Sequence, residues 1–168
     1  DFRKEYLLLG DLRKELSMVQ TIALTATADE TTRKDIIDKI FPIKPKVFIA
    51  GFDRPNIYLS MLPKDNAKKQ ILSFIKPLKG QSGIIYCSTR KKAEEWAAFL
   101  ASNNFHALPY HAGMSVADRK KNLQTFIEDE GVVVTATIAF GLGIDKPNVR
   151  FVCHANMPGN IESYYQEI

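Results

Sequence analysis

A chain of 168 residues has room for one domain, or for one domain and part of another, and a compact domain of that size buries roughly 70% of its unfolded surface. A composition of 45% hydrophobic and 25% charged residues excludes a disordered or fibrous chain, and no apolar run approaches the roughly 20 residues of a membrane span. The net charge of +4 is compatible with a nucleic-acid partner but far below that of a dedicated basic domain.

Cys87 and Cys153 each sit in an apolar strand-like run and read as buried, reduced thiols; their spacing fits no zinc site, so no metal ligand set is expected. The charged amino terminus is not a signal peptide.

Leu9, Leu12 and Leu16 share one face of a helix over residues 4–16. The run from Thr21 to Ala28 is expected as a short strand ending in small and hydroxyl residues. Asp29 and Glu30 then suit the positive end of a helix whose apolar residues are Ile36, Ile37 and Ile40 and which closes at Phe41-Pro42. A helix–strand–helix of about 40 residues rarely folds alone. Residues 1–42 are therefore expected to be the remnant of a preceding domain. Pro42, Pro45, Pro55 and Pro63 punctuate residues 43–65, which read as a linker.

From residue 66 the pattern becomes regular. Ile71, Ile75 and Leu78 form a helix stripe, and Gly83 to Cys87 a buried strand. A helix over 91–102 can be capped by Ser88 or Thr89 and faces inward through Ala93, Trp96, Ala97 and Leu100. His106 to Tyr110 is the next strand, and Ser115 with Asp118 marks a helix start. The continuous β-branched run Val132-Val133-Val134-Thr135 reads as a strand covered on both faces, as parallel-sheet strands are. Val149 to Cys153 is the last strand, followed by a helix from Asn160. Strands alternating with helices of this length predict an α/β fold with a parallel sheet and right-handed crossovers.

In such a sheet the carboxyl ends of the strands hold the ligand. Three of them carry small or hydrogen-bonding residues: Ser88-Thr89-Arg90, Tyr110-His111-Ala112-Gly113 and Thr135-Ala136-Thr137. Two feed helix starts, which together favour phosphate oxygens without reading bases. Ser115 is read as a plain helix cap, and Lys91, Lys92, Lys120 and Lys121 as a solvated face. No carboxylate lies near His111 in sequence, so it reads as structural or phosphate-contacting; His106 and His154 read as filler or surface, and Trp96, Tyr164 and Tyr165 as core packing. There is no phosphate-binding glycine loop ending in Lys-Ser/Thr and no acidic pair after a buried strand.

Six motifs then occur in order: Thr25-Ala26-Thr27-Ala28-Asp29, Phe52-Asp53-Arg54-Pro55-Asn56-Ile57, Ile85-Tyr86-Cys87-Ser88-Thr89-Arg90, Tyr110-His111-Ala112-Gly113-Met114, the run from Ala136 to Arg150, and the run from Asn160 to Glu167. Together they resemble the RecQ family of superfamily-two DNA helicases along the whole chain. The resemblance implies a RecA-like parallel sheet flanked by helices over residues 66–168, the second of two motor domains. It also implies ATP and Mg2+ in the cleft between those domains, and 3′-to-5′ movement along single-stranded or forked duplex DNA inside the cell, in bacterial cytoplasm (nucleoid) or in a nucleus.

By the same resemblance, Ser88, Thr89, Arg90, His111, Gly113 and Thr137 lie along the DNA path, Gly143, Asp145 and Gln166 face the nucleotide, and Thr25 and Thr27 couple the two sites. The pattern departs from the family at Ile168, where a threonine and then a run with the arginine finger would follow, and the phosphate loop and acidic magnesium motif would precede Asp1. The expectation is a fragment inactive by itself, prone to self-association through its sheet or by exchange of residues 1–42. Two other readings stay open: a non-enzymatic nucleic-acid-binding α/β module, and an RNA helicase domain of the DEAD-box kind.

Overall fold

The computed structural model describes residues 8–168 except 27, 52, 53, 138, 139 and 142. The chain divides into two units, Asp1–Met61 and Leu62–Ile168.

In the first unit, α1 (Leu9–Glu15) and α2 (Glu30–Ile40) meet where Gly10 lies against the Lys39 carbonyl, too close for any side chain at position 10. The Asp29 carboxylate caps α2 by accepting from the Thr32 amide at 2.7 Å. Among the described residues of this unit none is buried. Leu24, Phe48 and Tyr58 are about nine-tenths exposed (91%, 89% and 92%). The strand expected from Thr21 to Ala28 is not formed: none of its described residues is part of a β-ladder. A strand is completed by its neighbour's hydrogen bonds, and no described segment of this unit is a strand that could supply them.

The second unit is built on a four-stranded parallel sheet. Its strands are β1 (Ser82–Tyr86), β2 (His106–Tyr110), β3 (Val132–Ala136) and β4 (Val149–His154), in spatial order β2-β3-β1-β4. Because alternate side chains point to opposite faces, each strand feeds two cores. On one face Ile85, Val133, Phe151 and Cys153 pack against Ala93, Trp96 and Leu100 of α4 (Arg90–Ser102) and Ile75 of α3 (Ala67–Ile75). On the other, Ile84, Tyr86, Val132 and Val134 pack with Phe140 and with Phe126 of α5 (Val116–Glu128). Val132, Val133, Thr135 and Ala136 are wholly buried, and full burial of a Val-sized side chain stabilises by roughly 1.5–3 kcal/mol. Thr135, the polar member of the run, donates its hydroxyl to the Ala93 carbonyl at 2.7 Å, tying β3 to α4.

The helices start where side chains accept from their free amides. Asn66, Thr89, Ser115 and Asn160 cap α3, α4, α5 and α6 (Ile161–Glu167) respectively.

Candidate nucleic-acid interface

The register aligns the strand ends. Tyr86 lies beside Ala136 on one side and His154 on the other, and Ala136 lies beside Tyr110. The ladder runs one step further through Cys87 N–H to the Ala136 carbonyl (2.7 Å), Thr137 N–H to the Tyr110 carbonyl (3.4 Å) and Ala155 N–H to the Tyr86 carbonyl (3.0 Å). His111, Thr137 and Ser88 therefore leave the sheet along one edge, within two residues of their strand ends.

Ser88, Thr89, Arg90 and Gly113 are exposed there, and Thr137 is half-buried. The Ser88 hydroxyl donates to Asn156 Oδ1 at 3.3 Å, while Thr89 Oγ1 accepts from the Lys92 amide at 3.2 Å and so starts α4. Gly113 sits between two other predicted residues. A methyl group there would stand 3.2 Å from Arg90 Nη1 and 3.3 Å from His111 Nδ1.

His111 is 3% exposed and pairs through Nε2 with Glu94 Oε1 at 3.1 Å. A carboxylate only accepts, so Nε2 carries the hydrogen; Nδ1 is buried without a hydrogen-bond partner. The carboxylate absent from the sequence neighbourhood of His111 comes from α4, 17 positions away. Periodicity does mark Glu94 as lying next to the buried Ala93 on that helix, but not toward which strand end it reaches.

The predicted nucleotide-side residues lie around the turn after β3 and on α6. Gly141 and Gly143 have φ of +118° and +81°, conformations that glycine adopts without strain. A Cβ at Gly141 would also lie 2.8 Å from the Tyr86 hydroxyl. Asp145 and Gln166 are exposed. Lys146 is not: it is 9% exposed, and its ammonium donates to the carbonyls of Ile127 (3.2 Å) and Asp129 (3.0 Å) where α5 ends. Of the coupling residues, Thr25 is exposed in the first unit, and Thr27 lies outside the described residues, as do Phe52, Asp53, Ile138, Ala139 and Leu142 of the motifs.

His154 corrects the sequence reading. It is neither filler nor surface: its Nε2–H donates to Glu167 Oε2 at 2.7 Å, with the two side chains 12% and 5% exposed. Its ring stacks on Tyr86 (centroids 5.3 Å apart, planes at 16°) and packs against Tyr164 at 5.4 Å. Tyr86 in turn donates its hydroxyl to the Phe140 carbonyl at 2.9 Å. Burial first, and the Glu167 carboxylate second, push the Tyr86 phenol above its ordinary value, so it stays a donor. Burial likewise raises the Cys87 and Cys153 thiols to about 12.

Among the described residues no group of three or more His, Cys, Asp or Glu is placed to hold a metal ion, and no helix is long and apolar enough to cross a membrane.

The model of the helicase conserved C-terminal domain matches residues 65–168. The chain is 46% identical over 167 residues to the ATP-dependent DNA helicase RecQ of Pasteurella multocida, covering 99% of this chain and 26% of that protein. It is 41% identical over 172 residues to the RecQ-like DNA helicase BLM of Xenopus laevis, covering 99% of this chain and 12% of that one. Among solved structures, a DEAD box protein from Methanococcus jannaschii aligns with TM-score 0.54 at 26% identity, over 61% of this chain and 28% of its own. Dbp5 of S. cerevisiae, bound to RNA and ADP BeF3, aligns with TM-score 0.67 over 85% of this chain and 39% of its own, and at 17% identity shares the fold. The domain match over well more than half the chain, with RecQ relatives along nearly all of it, places this protein in the helicase C-terminal domain family, in its RecQ branch.

Proposed function

We propose that this chain supplies the second motor domain, residues 66–168, of an ATP-dependent 3′-to-5′ DNA helicase, with residues 1–42 belonging to the first and 43–65 linking them. The edge formed by Ser88, Thr89, Arg90, His111, Gly113 and Thr137 holds the sugar–phosphate backbone of single-stranded or forked DNA. Gly143, Asp145 and Gln166 face ATP, and Thr25 and Thr27 connect the two sites. The whole protein works inside the cell, where its DNA is.

The observation that carries the reading is the alignment of three polar strand ends along one edge of a parallel sheet. Backbone phosphates are held by such donors, by amides at helix starts and by arginine, none of which reads bases. Within the site, Glu94 orients His111, Thr89 opens α4, and Arg90 reaches the space beside Gly113. ATP with Mg2+ would supply the free energy for movement.

Anisotropy of a fluorescein-labelled oligothymidylate, titrated with the 168-residue chain at several salt concentrations, tests the interface. The affinity is expected to be weak and to fall with a slope of roughly −0.7 per phosphate contact on logarithmic axes. Arg90→Ala should reduce that slope by about one contact. Binding that ignores salt, or an Arg90→Ala variant that binds like the parent, would refute the reading. By itself the chain should not hydrolyse ATP; turnover above that of a mutated control in a clean preparation would contradict this.

The exposed apolar side chains of residues 8–61 and the edge strands β2 and β4 favour self-association, by exchange of residues 1–42 or edge pairing. A compact monomer in sedimentation at high concentration would count against it.

A further inference from the structure

The buried His154–Glu167 pair is used by none of the contacts assigned above. A carboxylate and an imidazole almost out of contact with water are costly unless they satisfy each other. Here they do, at 2.7 Å, and they join two separate parts of the site. Glu167 is the last residue of α6, next to Gln166. His154 ends β4 and stacks on Tyr86, which ends β1. The Tyr86 hydroxyl holds the Phe140 carbonyl, and Gly141 comes close enough to that hydroxyl that a Cβ would fall 2.8 Å from it. The same added Cβ would lie 4.0 Å from the Gln166 carbonyl, so the turn and α6 are neighbours.

We propose that Glu167, His154 and Tyr86 form a chain of positioning residues that sets α6 and the 140–145 turn in one fixed relation, so that Gln166 and Asp145 are presented together. The proposal rests on the reading that this rim faces the nucleotide. Each link has its own task. Glu167 docks α6, the stacked His154 ring passes that constraint to β1, and the Tyr86 hydroxyl passes it to the turn. Glu167 is thus a positioning residue for both segments, although its own hydrogen bond goes to His154 of β4.

Hydrogen exchange on the 168-residue chain separates this from a local packing role. The reporters are the turn amides of Phe140 and Ile144, which bond to the carbonyls of Thr137 and Gly141, and the α6 amide of Tyr164, which bonds to that of Asn160. Glu167→Ala should speed exchange at all three by about tenfold or more, as expected for a lost buried hydrogen bond to a charged group. Glu167→Gln keeps an acceptor for His154 and should restore slow exchange. Tyr86→Phe keeps the ring stack and should loosen Phe140 and Ile144 while leaving Tyr164 protected. If Glu167→Ala loosens Tyr164 alone, or Glu167→Gln behaves like Glu167→Ala, the chain of positioning residues does not exist.

In the full-length protein, Glu167→Ala should lower kcat for DNA-stimulated ATP hydrolysis by about tenfold with the KM for DNA unchanged, and Glu167→Gln should restore it. A full-length parent protein without DNA-stimulated hydrolysis would overturn the functional reading, and the role in presenting Gln166 and Asp145 with it. An exchange pattern as expected alongside an unaltered kcat would overturn the role in catalysis alone.

Discussion

Lys146→Met is expected to destabilise the second unit by about 2 kcal/mol. The Lys146 ammonium donates to two carbonyls at the end of α5 and lies 5.4 Å from the centroid of the Phe126 ring. Each hydrogen bond from a charged donor contributes roughly 1.5–3 kcal/mol, and the negative end of the helix adds roughly 0.3–1 kcal/mol. Against this stands the cost of taking the ammonium out of water, several kcal/mol when complete. At 9% residue exposure that cost is large, but it is offset because the donors find acceptors at 3.0 and 3.2 Å. Methionine keeps the apolar stem over Phe126 and removes only the charge and donors, so the change isolates the capping role. Urea unfolding should show a lower midpoint at unchanged slope, with the melting temperature down by about 8 °C or more for a unit of this size. If the variant unfolded within about 0.5 kcal/mol of the parent, the desolvation cost would cancel the capping bonds and Lys146 would not anchor the turn.

Gly83→Ala should cost about 2–3 kcal/mol in urea unfolding, because its Cβ would fall inside the van der Waals envelope of the Phe151 ring, which is itself packed edge-on to Phe74; wild-type stability would show that the ring swings aside freely. Cys87 and Cys153 should resist iodoacetamide at pH 8 in the folded chain and react at least about tenfold faster in urea, since burial holds both thiols protonated; equal rates by mass spectrometry would refute their burial. The Asp29 carboxyl is held below the ordinary aspartate value, chiefly by its hydrogen bonds to Thr32. A depressed carboxyl contributes stability that is present above its unfolded pKa and is lost as pH falls through the folded one. Helicity of residues 30–40 should therefore decline below about pH 4 by NMR chemical shifts, and Asp29→Asn should flatten that decline; a variant still titrating there would exclude Asp29 as the cause.

How far the sequence could be read depended on how local the physics was. The β-branched run at 132–135, the helix starts at Ser115 and Asn160, and a cap at Ser88 or Thr89 are set by residues within a turn of one another, and each was legible. Register was not, but parallel pairing alone puts the carboxyl ends of the strands, and with them Ser88, His111 and Thr137, at one edge. What stayed hidden were polar pairs formed across the fold. Glu94 meets His111 and Glu167 meets His154 across 17 and 13 positions, with no periodicity to announce them. Lys146, whose charge the sequence gives no reason to bury, folds it inward onto α5. Thr21 to Ala28 failed for the opposite reason: the local pattern suits a strand, but a strand also needs a partner.

The two ends of the sheet are built for different tasks. At the amino-terminal ends of β1, β2 and β3 the chain arrives through single left-handed residues, Gly80, Asn104 and Gly131. Two of these crowd each other: a Cβ on Gly131 would lie 3.0 Å from the Gly80 carbonyl oxygen. Tight entries of that kind fix where each strand begins. At the carboxyl ends the connection after β3 holds Gly141 and Gly143 at positive φ, and among its described residues Phe140 is held by Tyr86 while Lys146 reaches the end of α5. Its described amides of Phe140 and Ile144 close short turns onto the carbonyls of Thr137 and Gly141, so a change at either anchor bears on those bonds. Tyr86, stacked on His154 and bonded to the Phe140 carbonyl, is the side chain at which the ends of β1 and β4 meet the turn after β3.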